Sequence, residues 1–191
     1  GIPQLKDFAK KKYPNSKSDL FAMFIEHGFG WCKEFGFNAM VTMQSWMFLS
    51  SYEDMRKGLL DSHTILSMIH LGSRAFPEIS GEVVQTTAFV TIKEKVKGYK
   101  PVFYRLVETL EKEKAFRNSK NRFDKAFQND FSKIIGSPIA YWISDKVRNN
   151  FDQLSSLSVS SNAVCGMTTG DNGTFVRDWS EIDFSKFGKE F

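Results

Sequence analysis

The stretch HLGSRAFPEISGEVVQTTAFV, residues 70–90, decides the fold. It is the end of one apolar strand, a loop, and the start of a second strand that is rich in β-branched residues. The loop is too short for a helical crossover, so the second strand, Val83 to Ile92, is predicted to run antiparallel to its neighbours. The centre of the loop between these strands holds Phe76 beside Pro77, which is unexpected for a segment that faces water. Phe76 is therefore either core filler or a functional residue.

The segment before this hairpin predicts a repeating α/β pattern. Apolar positions in SDLFAMFIEHGFGWCKEFG recur at helical spacing, with Ser18 as N-cap and Gly36 as the C-terminal stop. NAMVTMQ follows as a nearly unbroken apolar run, typical of a strand that is covered on both faces. Ser50 and Glu53 form a capping-box pattern for a helix that runs to about Ser62. TILSMIHL is the next strand, so two parallel strands joined by a helix are expected.

Composition changes near Val96, and three regions are predicted: 1–97, 98–154 and 155–191. YKPVFYRLVE reads as a further strand and ETLEKEKAFRNSK as a charged surface helix. Pro138 is placed to open a helix over PIAYWISDKVRNNFDQL. The serine-rich residues 155–163 are interpreted as a hinge, followed by a piece with turn chemistry.

Composition bounds the functional classes. The chain of 191 residues is 41% hydrophobic and 25% charged, which is typical of a soluble globular protein, and its net charge of +4 is compatible with a polyanionic partner. Cys32 and Cys165 have no metal-ligand spacing with the histidines, so we expect reduced thiols, no metal site and a cytoplasmic protein. No apolar run is long enough to span a bilayer.

The predicted sheet is incomplete. It begins with a helix, and no glycine-rich phosphate or dinucleotide loop follows any strand. We infer that residues 1 to about 97 form the second half of a doubly wound α/β domain, whose first half would precede Gly1.

Several long phrases carry a resemblance over essentially the whole chain. SKSDLFAMFIEHG, NAMVTMQSWMFLSSYEDMR, HLGSRAFPEISGEVVQTTAFV, GSPIAYWISDKVR and GMTTGDNGTFVRDW closely resemble successive segments of the adenine-specific DNA methyltransferases of BREX phage-defence systems, a branch of the gamma-type adenine methyltransferases. The resemblance implies a Rossmann-like fold ending in an antiparallel hairpin, followed by a target-recognition region. It also implies S-adenosylmethionine as methyl donor and double-stranded DNA, with a flipped adenine, as substrate.

One element of that family pattern is missing. The tetrapeptide Asn-Pro-Pro-Tyr, which holds the target amine in this group, does not occur here, and the register places it before Gly1. The glycine-containing cofactor motif belongs to the same missing half. We therefore expect no catalytic residue in this polypeptide and no activity from it alone.

The resemblance assigns cofactor and rim residues. Leu20, Phe21 and Phe24 match a Leu-Tyr-x-x-Phe pattern, which makes Phe24, with Phe21 beside it, the candidate wall for the adenine of S-adenosylmethionine. The alternative is that Phe24 is one more residue of a core stripe. Gln44, Ser45 and Trp46 follow the NAMVTM strand at the edge where α/β sheets bind ligands; alternatively, Trp46 caps the core and Ser45 begins a turn.

The resemblance also assigns the opening loop. Its register places Phe76 and Pro77 where an aromatic residue stacks on the extrahelical adenine, with the proline restricting the backbone. The alternative is a ring that folds back onto the sheet. Basic residues nearby are candidates for phosphate contacts, although scattered lysines at this net charge are more often a solvated face; they are Arg74, Lys93, Lys95, Lys97, Lys100 and Lys10 to Lys12.

Two other functions stay open. A non-catalytic DNA-binding or assembly module would also lack the tetrapeptide, and a small nucleotide-binding α/β protein would bind nucleotide without other segments. Expected partners are DNA and other phage-defence proteins. A second copy is a further candidate, because an incomplete sheet leaves an exposed strand edge.

Overall fold

A computed structural model describes residues 2–76 and 84–155, and beyond these only 159–162, 164, 170, 176 and 181. The chain divides into two compact units, Gly1–Leu154 and Ser155–Phe191. All helices and strands given below lie in the first unit.

The first unit has five helices and five strands among its described residues. The helices are α1 Pro3–Lys12, α2 Leu20–Trp31, α3 Glu53–Ser62, α4 Lys112–Phe116 and α5 Asp145–Gln153. The strands are β1 Phe37–Met43, β2 Thr64–Gly72, β3 Thr86–Ile92, β4 Val102–Arg105 and β5 Arg122–Phe123. Short 3₁₀ segments cover Gln44–Met47, Ser50–Tyr52, Ser119–Asn121 and Gln128–Lys133.

The strands form one mixed sheet in the order β1-β3-β2-β4-β5. β3 is antiparallel to β1 and to β2, as the short loop predicted, and it lies between them. β1 and β2 therefore run in the same direction without being neighbours. β4 pairs parallel with β2, with Arg105 in register with His70, so the strand predicted in YKPVFYRLVE is present at Val102–Arg105 and joins the sheet.

Helices cover one face of this sheet. Ala22, Ile25 and Phe29 of α2 are buried there, together with apolar residues of α3 and the strands. Gly28 permits the close approach of α2 to β1, because a Cβ at this position would lie 2.6 Å from the side-chain nitrogen of Asn38. The helical spacing predicted Leu20, Phe24 and Ile25 on one apolar stripe, but only Ile25 of these is buried, whereas Leu20 and Phe24 are exposed.

The opposite face of the sheet is open at β1. Phe37 and Val41 are 64% and 55% exposed, so the expectation that this strand is covered on both faces is wrong for this chain. Val41 is in register with Ala88 of β3, and Ala88 is in register with Ile69 of β2. The apolar surface therefore extends across three strands. Within the described residues β1 pairs only with β3, which leaves its outer edge without a strand partner.

Four predicted helix ends, on three helices, differ from the observed ones. α2 begins after Asp19 rather than Ser18 and ends at Trp31, before Gly36. α3 has Tyr52 at its N-cap and no capping box, because the Glu53 carboxylate pairs with Lys57 at 2.6 Å instead. α5 begins at Asp145, with the Ser144 hydroxyl accepting from a backbone N–H of its first turn.

Residues 138–143 are not helical, although Pro138 was predicted to open a helix there. The backbone N–H of Ile139 donates to the carbonyl of Met47 at 3.0 Å, and the side chains of Ile139 and Tyr141 are buried. Tertiary burial of this segment therefore replaces the local helical preference.

Candidate functional site

The ends of three strands meet around Gln44. Its backbone N–H donates to the carbonyl of Gln85 at 2.9 Å, and its side-chain amide donates to the side-chain oxygen of the same residue. Its side-chain oxygen lies 2.6 Å from Nε2 of His70. Because Gln44 follows β1, Gln85 precedes β3 and His70 lies on β2, this one side chain ties the three strands together at the rim.

His70 is the buried member of this group. Its Nδ1 lies 3.2 Å from the hydroxyl of Tyr141. Burial lowers the pKa of His70 to about 4, and the positive charges of Arg105 and Lys112 act in the same direction. A neutral ring that donates from Nε2 to Gln44 and accepts the Tyr141 hydroxyl at Nδ1 satisfies both contacts. Burial also raises the pKa of Tyr141.

Phe76 lies beyond the same end of β2. It is 42% exposed, so its ring is not folded into the core. The chain leaves β2 through Gly72, which has φ +69°, and a Cβ there would lie 3.0 Å from atoms of Val107. Arg74 is exposed and also has a positive φ of 56°. Pro77, the other residue predicted to hold the target base, lies outside the described residues.

Ser45 and Phe21 come together through Tyr52. The rings of Phe21 and Tyr52 have centroids 5.6 Å apart, and Ser45 hydrogen-bonds the Tyr52 hydroxyl. Burial raises the pKa of Tyr52, the nearby Asp19 adds to this, and the bond from Ser45 opposes it. The beginning of α2 is therefore held against the end of β1.

Trp46 is part of the hydrophobic core. Its side chain is fully buried, its Nε1 donates to the Thr42 hydroxyl at 3.2 Å, and its ring packs edge-on against Phe89. This placement agrees with the alternative that Trp46 caps the core.

Phe24 lies on a different side of α2 from the buried stripe. Its ring is 46% exposed and lines an apolar cavity of about 250 Å³ between α1 and α2. Phe8, Tyr13 and Trp31 are among the other walls. Two of the polar atoms of this cavity are paired with each other, since the Tyr13 hydroxyl lies 2.8 Å from Nδ1 of His27. The cavity therefore offers flat aromatic walls rather than hydrogen-bonding groups.

Lys93 makes a local contact. Its Nζ donates to the carbonyl of Cys32 at 2.9 Å, where it binds the end of α2. Among the described residues, no group of three or more His, Cys, Asp or Glu side chains could hold a metal ion. None of the described helices is long and apolar enough to cross a membrane.

Sequence reasoning missed the buried Arg56. Its guanidinium donates to the carbonyls of Trp46 at 2.8 Å, Leu49 at 2.6 Å and Gly136 at 2.6 Å. It therefore fixes the segment that follows β1 and joins it to a loop 80 residues away. The sequence of an amphipathic helix does not indicate that its arginine is buried, because backbone carbonyls, which every residue has, are the acceptors. The role of His70 was likewise missed, because the sequence analysis named the histidines only in excluding a metal site.

The mixed five-stranded sheet and its helical cover form an α/β domain. The sequence model of the Eco57I restriction-modification methylase family matches residues 2–76, which contain α1 to β2 and Phe76.

Two relatives make the assignment more specific. The chain is 54% identical over 187 residues to the adenine-specific methyltransferase BrxX of Escherichia coli O9:H4 (strain HS), and 45% identical over 192 residues to the adenine-specific methyltransferase PglX of Lacticaseibacillus casei (strain Zhang). These alignments cover 96% and 95% of the chain but 15% and 16% of the relatives. The chain is thus a close homologue of one segment of the BREX adenine-specific methyltransferases, which confirms the resemblance seen in its sequence.

Proposed function

We propose that this chain is part of an enzyme that transfers a methyl group from S-adenosylmethionine to the exocyclic amine of adenine in DNA, for phage defence. The identity of 54% to BrxX over nearly the whole chain is the observation that carries the proposal. The chain spans about 15% of that relative, so other segments would supply the rest of the activity.

The strand arrangement supports the proposal that this chain contains one half of a Rossmann-like methyltransferase sheet. An antiparallel β3 inserted between the parallel β1 and β2 gives the terminal hairpin that the family resemblance implies. The unpaired edge of β1 and the apolar surface at Phe37 and Val41 then mark where the first half of the sheet and its helices would pack. Burial of this surface would contribute roughly 25 cal/mol per Å² of apolar area.

S-adenosylmethionine supplies the electrophilic methyl group when it is bound. Phe24 fits one part of this cofactor, since a half-exposed aromatic ring beside other flat walls suits an adenine base. The lining of the cavity is mostly apolar and its Tyr13 hydroxyl already contacts His27, so residues outside this chain would hold the ribose and the amino-acid group. In this proposal Phe21 supports the beginning of α2 through Tyr52 rather than touching the cofactor.

Phe76 is proposed to stack on the flipped adenine. A base that leaves the duplex loses its neighbours, and an aromatic face restores roughly 1–3 kcal/mol. The half-exposed ring at the carboxyl end of β2 is available for this contact. Gln44 and His70 would hold the rim from which the loop projects. Arg74 is exposed in the same loop, two residues before Phe76, and is the candidate for a phosphate contact beside the flipped base.

Partners and location follow from the same proposal. A DNA-modifying enzyme of a bacterial defence system would act in the cytoplasm, on double-stranded DNA and beside other defence proteins. In the absence of the remaining segments, the edge of β1 would pair with a second copy.

A methyl-transfer assay tests the proposed function. The full-length protein that contains this chain is incubated with unmethylated duplex DNA and labelled S-adenosylmethionine, and the DNA is digested to nucleosides. Label on the exocyclic amine of adenine is the expected result. Tight DNA binding without transfer, and a gene with no Asn-Pro-Pro-Tyr motif upstream of Gly1, would instead favour the non-catalytic module.

A further inference from the structure

A second aromatic surface lies beside the rim and has no role in the function proposed above. Phe48 and Trp142 are partly exposed, and their ring centroids are 5.6 Å apart at an angle of 67°. The guanidinium of Arg105 lies 5.7 Å from the centre of the Trp142 ring. We name these three residues the aromatic platform.

The two rings of the platform pack against the buried side chains of His70 and Tyr141. His70 packs against Phe48 at 5.8 Å and against Trp142 at 6.1 Å, and Tyr141 meets Trp142 edge-on at 5.0 Å. Both supporting rings are themselves hydrogen-bonded to each other. The two exposed rings are therefore fixed in place before any ligand arrives, which reduces the entropy cost of binding.

The platform lies at the same end of the sheet as Phe76. Arg105 ends β4 in register with His70, and the N–H of Leu106 donates to the carbonyl of His70 at 2.9 Å. Phe76 follows the end of β2 by only four residues, since that strand ends at Gly72. A strand of nucleic acid that reaches one of these surfaces would pass close to the other.

A polar cleft continues from Arg105. It has a volume of about 320 Å³, and its charged walls are the cations Arg105, Lys114 and Lys120 and the carboxylates Glu108 and Glu111. Three positive and two negative charges leave one positive charge in excess. Glu108 pairs with Arg105, and Glu111 with Lys114 at 3.1 Å. Flat aromatic rings next to a groove with an excess positive charge are a combination that binds single-stranded nucleic acid.

We propose that the aromatic platform binds an unstacked base of DNA, with the adjoining phosphate near Arg105 and the start of the cleft. The inference rests on the proposed function for the identity of the nucleic acid, but it assigns a contact separate from Phe76. The base would lie against Trp142 and Phe48, and the guanidinium would neutralise a phosphate.

Binding of a labelled oligonucleotide to the 191-residue chain tests the platform. The probe is a single-stranded DNA of about 12 nucleotides, read by fluorescence anisotropy over a series of salt concentrations. Trp142→Ala is expected to weaken binding about tenfold, Trp142→Phe to retain most of it, and Arg105→Gln to lower the slope of log affinity against log salt by about one.

Tyr99→Ala is the matched control. Tyr99 has the same 37% exposure as Trp142 but precedes β4, at the opposite end of the sheet. The melting temperature of each variant shows whether it is folded. The proposal is overturned if the wild-type chain does not bind at low salt, if Trp142→Ala binds as well as wild type, or if Tyr99→Ala loses as much. If Trp142→Ala binds normally while the full-length enzyme still methylates adenine, only this inference fails.

Discussion

Nε2 of His70 lies 2.6 Å from the side-chain oxygen of Gln44, although their strands β2 and β1 are separated in the sheet by β3. The contact crosses over the start of β3, where Gln44 also binds Gln85. Burial and the positive charges of Arg105 and Lys112 favour a neutral imidazole here, and its other nitrogen lies 3.2 Å from the hydroxyl of Tyr141. Protonation of His70 is therefore expected to weaken the contacts at the rim and to lower the stability of the sheet.

Stability should fall when the pH drops below 6.5. The folded pKa of His70 is about 4 against 6.5 for the unfolded chain, so between these values only the unfolded chain binds the proton. The contribution of His70 is complete above pH 6.5 and is lost as the pH falls towards 4, by roughly 3 kcal/mol in total. Urea unfolding of the wild type and of His70→Gln at several pH values measures this contribution. The difference between their free energies of unfolding isolates His70, because the other titrating groups contribute equally to both proteins. An unchanged difference between the two proteins from pH 7.5 to 4.5 would contradict the assignment.

Gly72→Ala should destabilise the first unit more than Gly98→Ala does. Both glycines have positive φ, +69° and +74°, so both substitutions carry the left-handed penalty of about 1–2 kcal/mol. A Cβ at Gly72 would also lie 3.0 Å from the Val107 backbone and side chain, whereas a Cβ at Gly98 meets nothing within 4 Å. Thermal unfolding of the two variants separates these effects. Equal shifts in melting temperature would show that the strand end can move away from Val107.

Arg56→Met should lower the free energy of unfolding by about 3–5 kcal/mol. The substitution keeps the apolar stem but leaves the three carbonyls of Trp46, Leu49 and Gly136 without their donor. Arg56→Lys should be nearly as harmful, because one ammonium cannot reproduce the planar fork. Denaturant titration measures both. Lys57→Ala is the control, since Lys57 is exposed on the same helix and only pairs with Glu53; a loss as large as that of Arg56→Met would contradict the account.

The isolated chain should self-associate through its open sheet face. Phe37 and Val41 expose apolar side chains beside the unpaired edge of β1. Light scattering over a range of concentrations should show a rising apparent mass for the wild type and a constant monomer mass for Val41→Lys. Leu110→Lys is the control, because Leu110 is 69% exposed but lies outside the sheet. A monomeric wild type would contradict self-association while leaving the enzyme proposal intact.

The sequence predicted β3 correctly because a short loop between two apolar strands leaves only an antiparallel pairing. It could not predict that β3 lies between β1 and β2, since the order of strands depends on contacts across the whole sheet. The apolar run of β1 indicated two covered faces, but Phe37 and Val41 are exposed in the part of the chain that the structure describes. The resemblance led to Gln44 and Phe76, which the structure places near the rim. His70, Tyr141 and Trp142 were not recognised, because the segment containing the two later residues was predicted to be a helix.

The central claim is that Phe76 stacks on a target adenine in a methyltransferase, and Phe76→Ala in the full-length enzyme tests it most directly. Methylation of duplex DNA and affinity for S-adenosylmethionine are measured side by side, with Phe151→Ala, an equally large exposed ring on α5, as control. The expected result is a loss of methylation of roughly 5- to 100-fold, from the stacking energy of one base, with unchanged cofactor affinity and melting temperature. Equal losses of methylation and cofactor affinity, or a fall in melting temperature that accounts for the lost activity, would return Phe76 to a structural role.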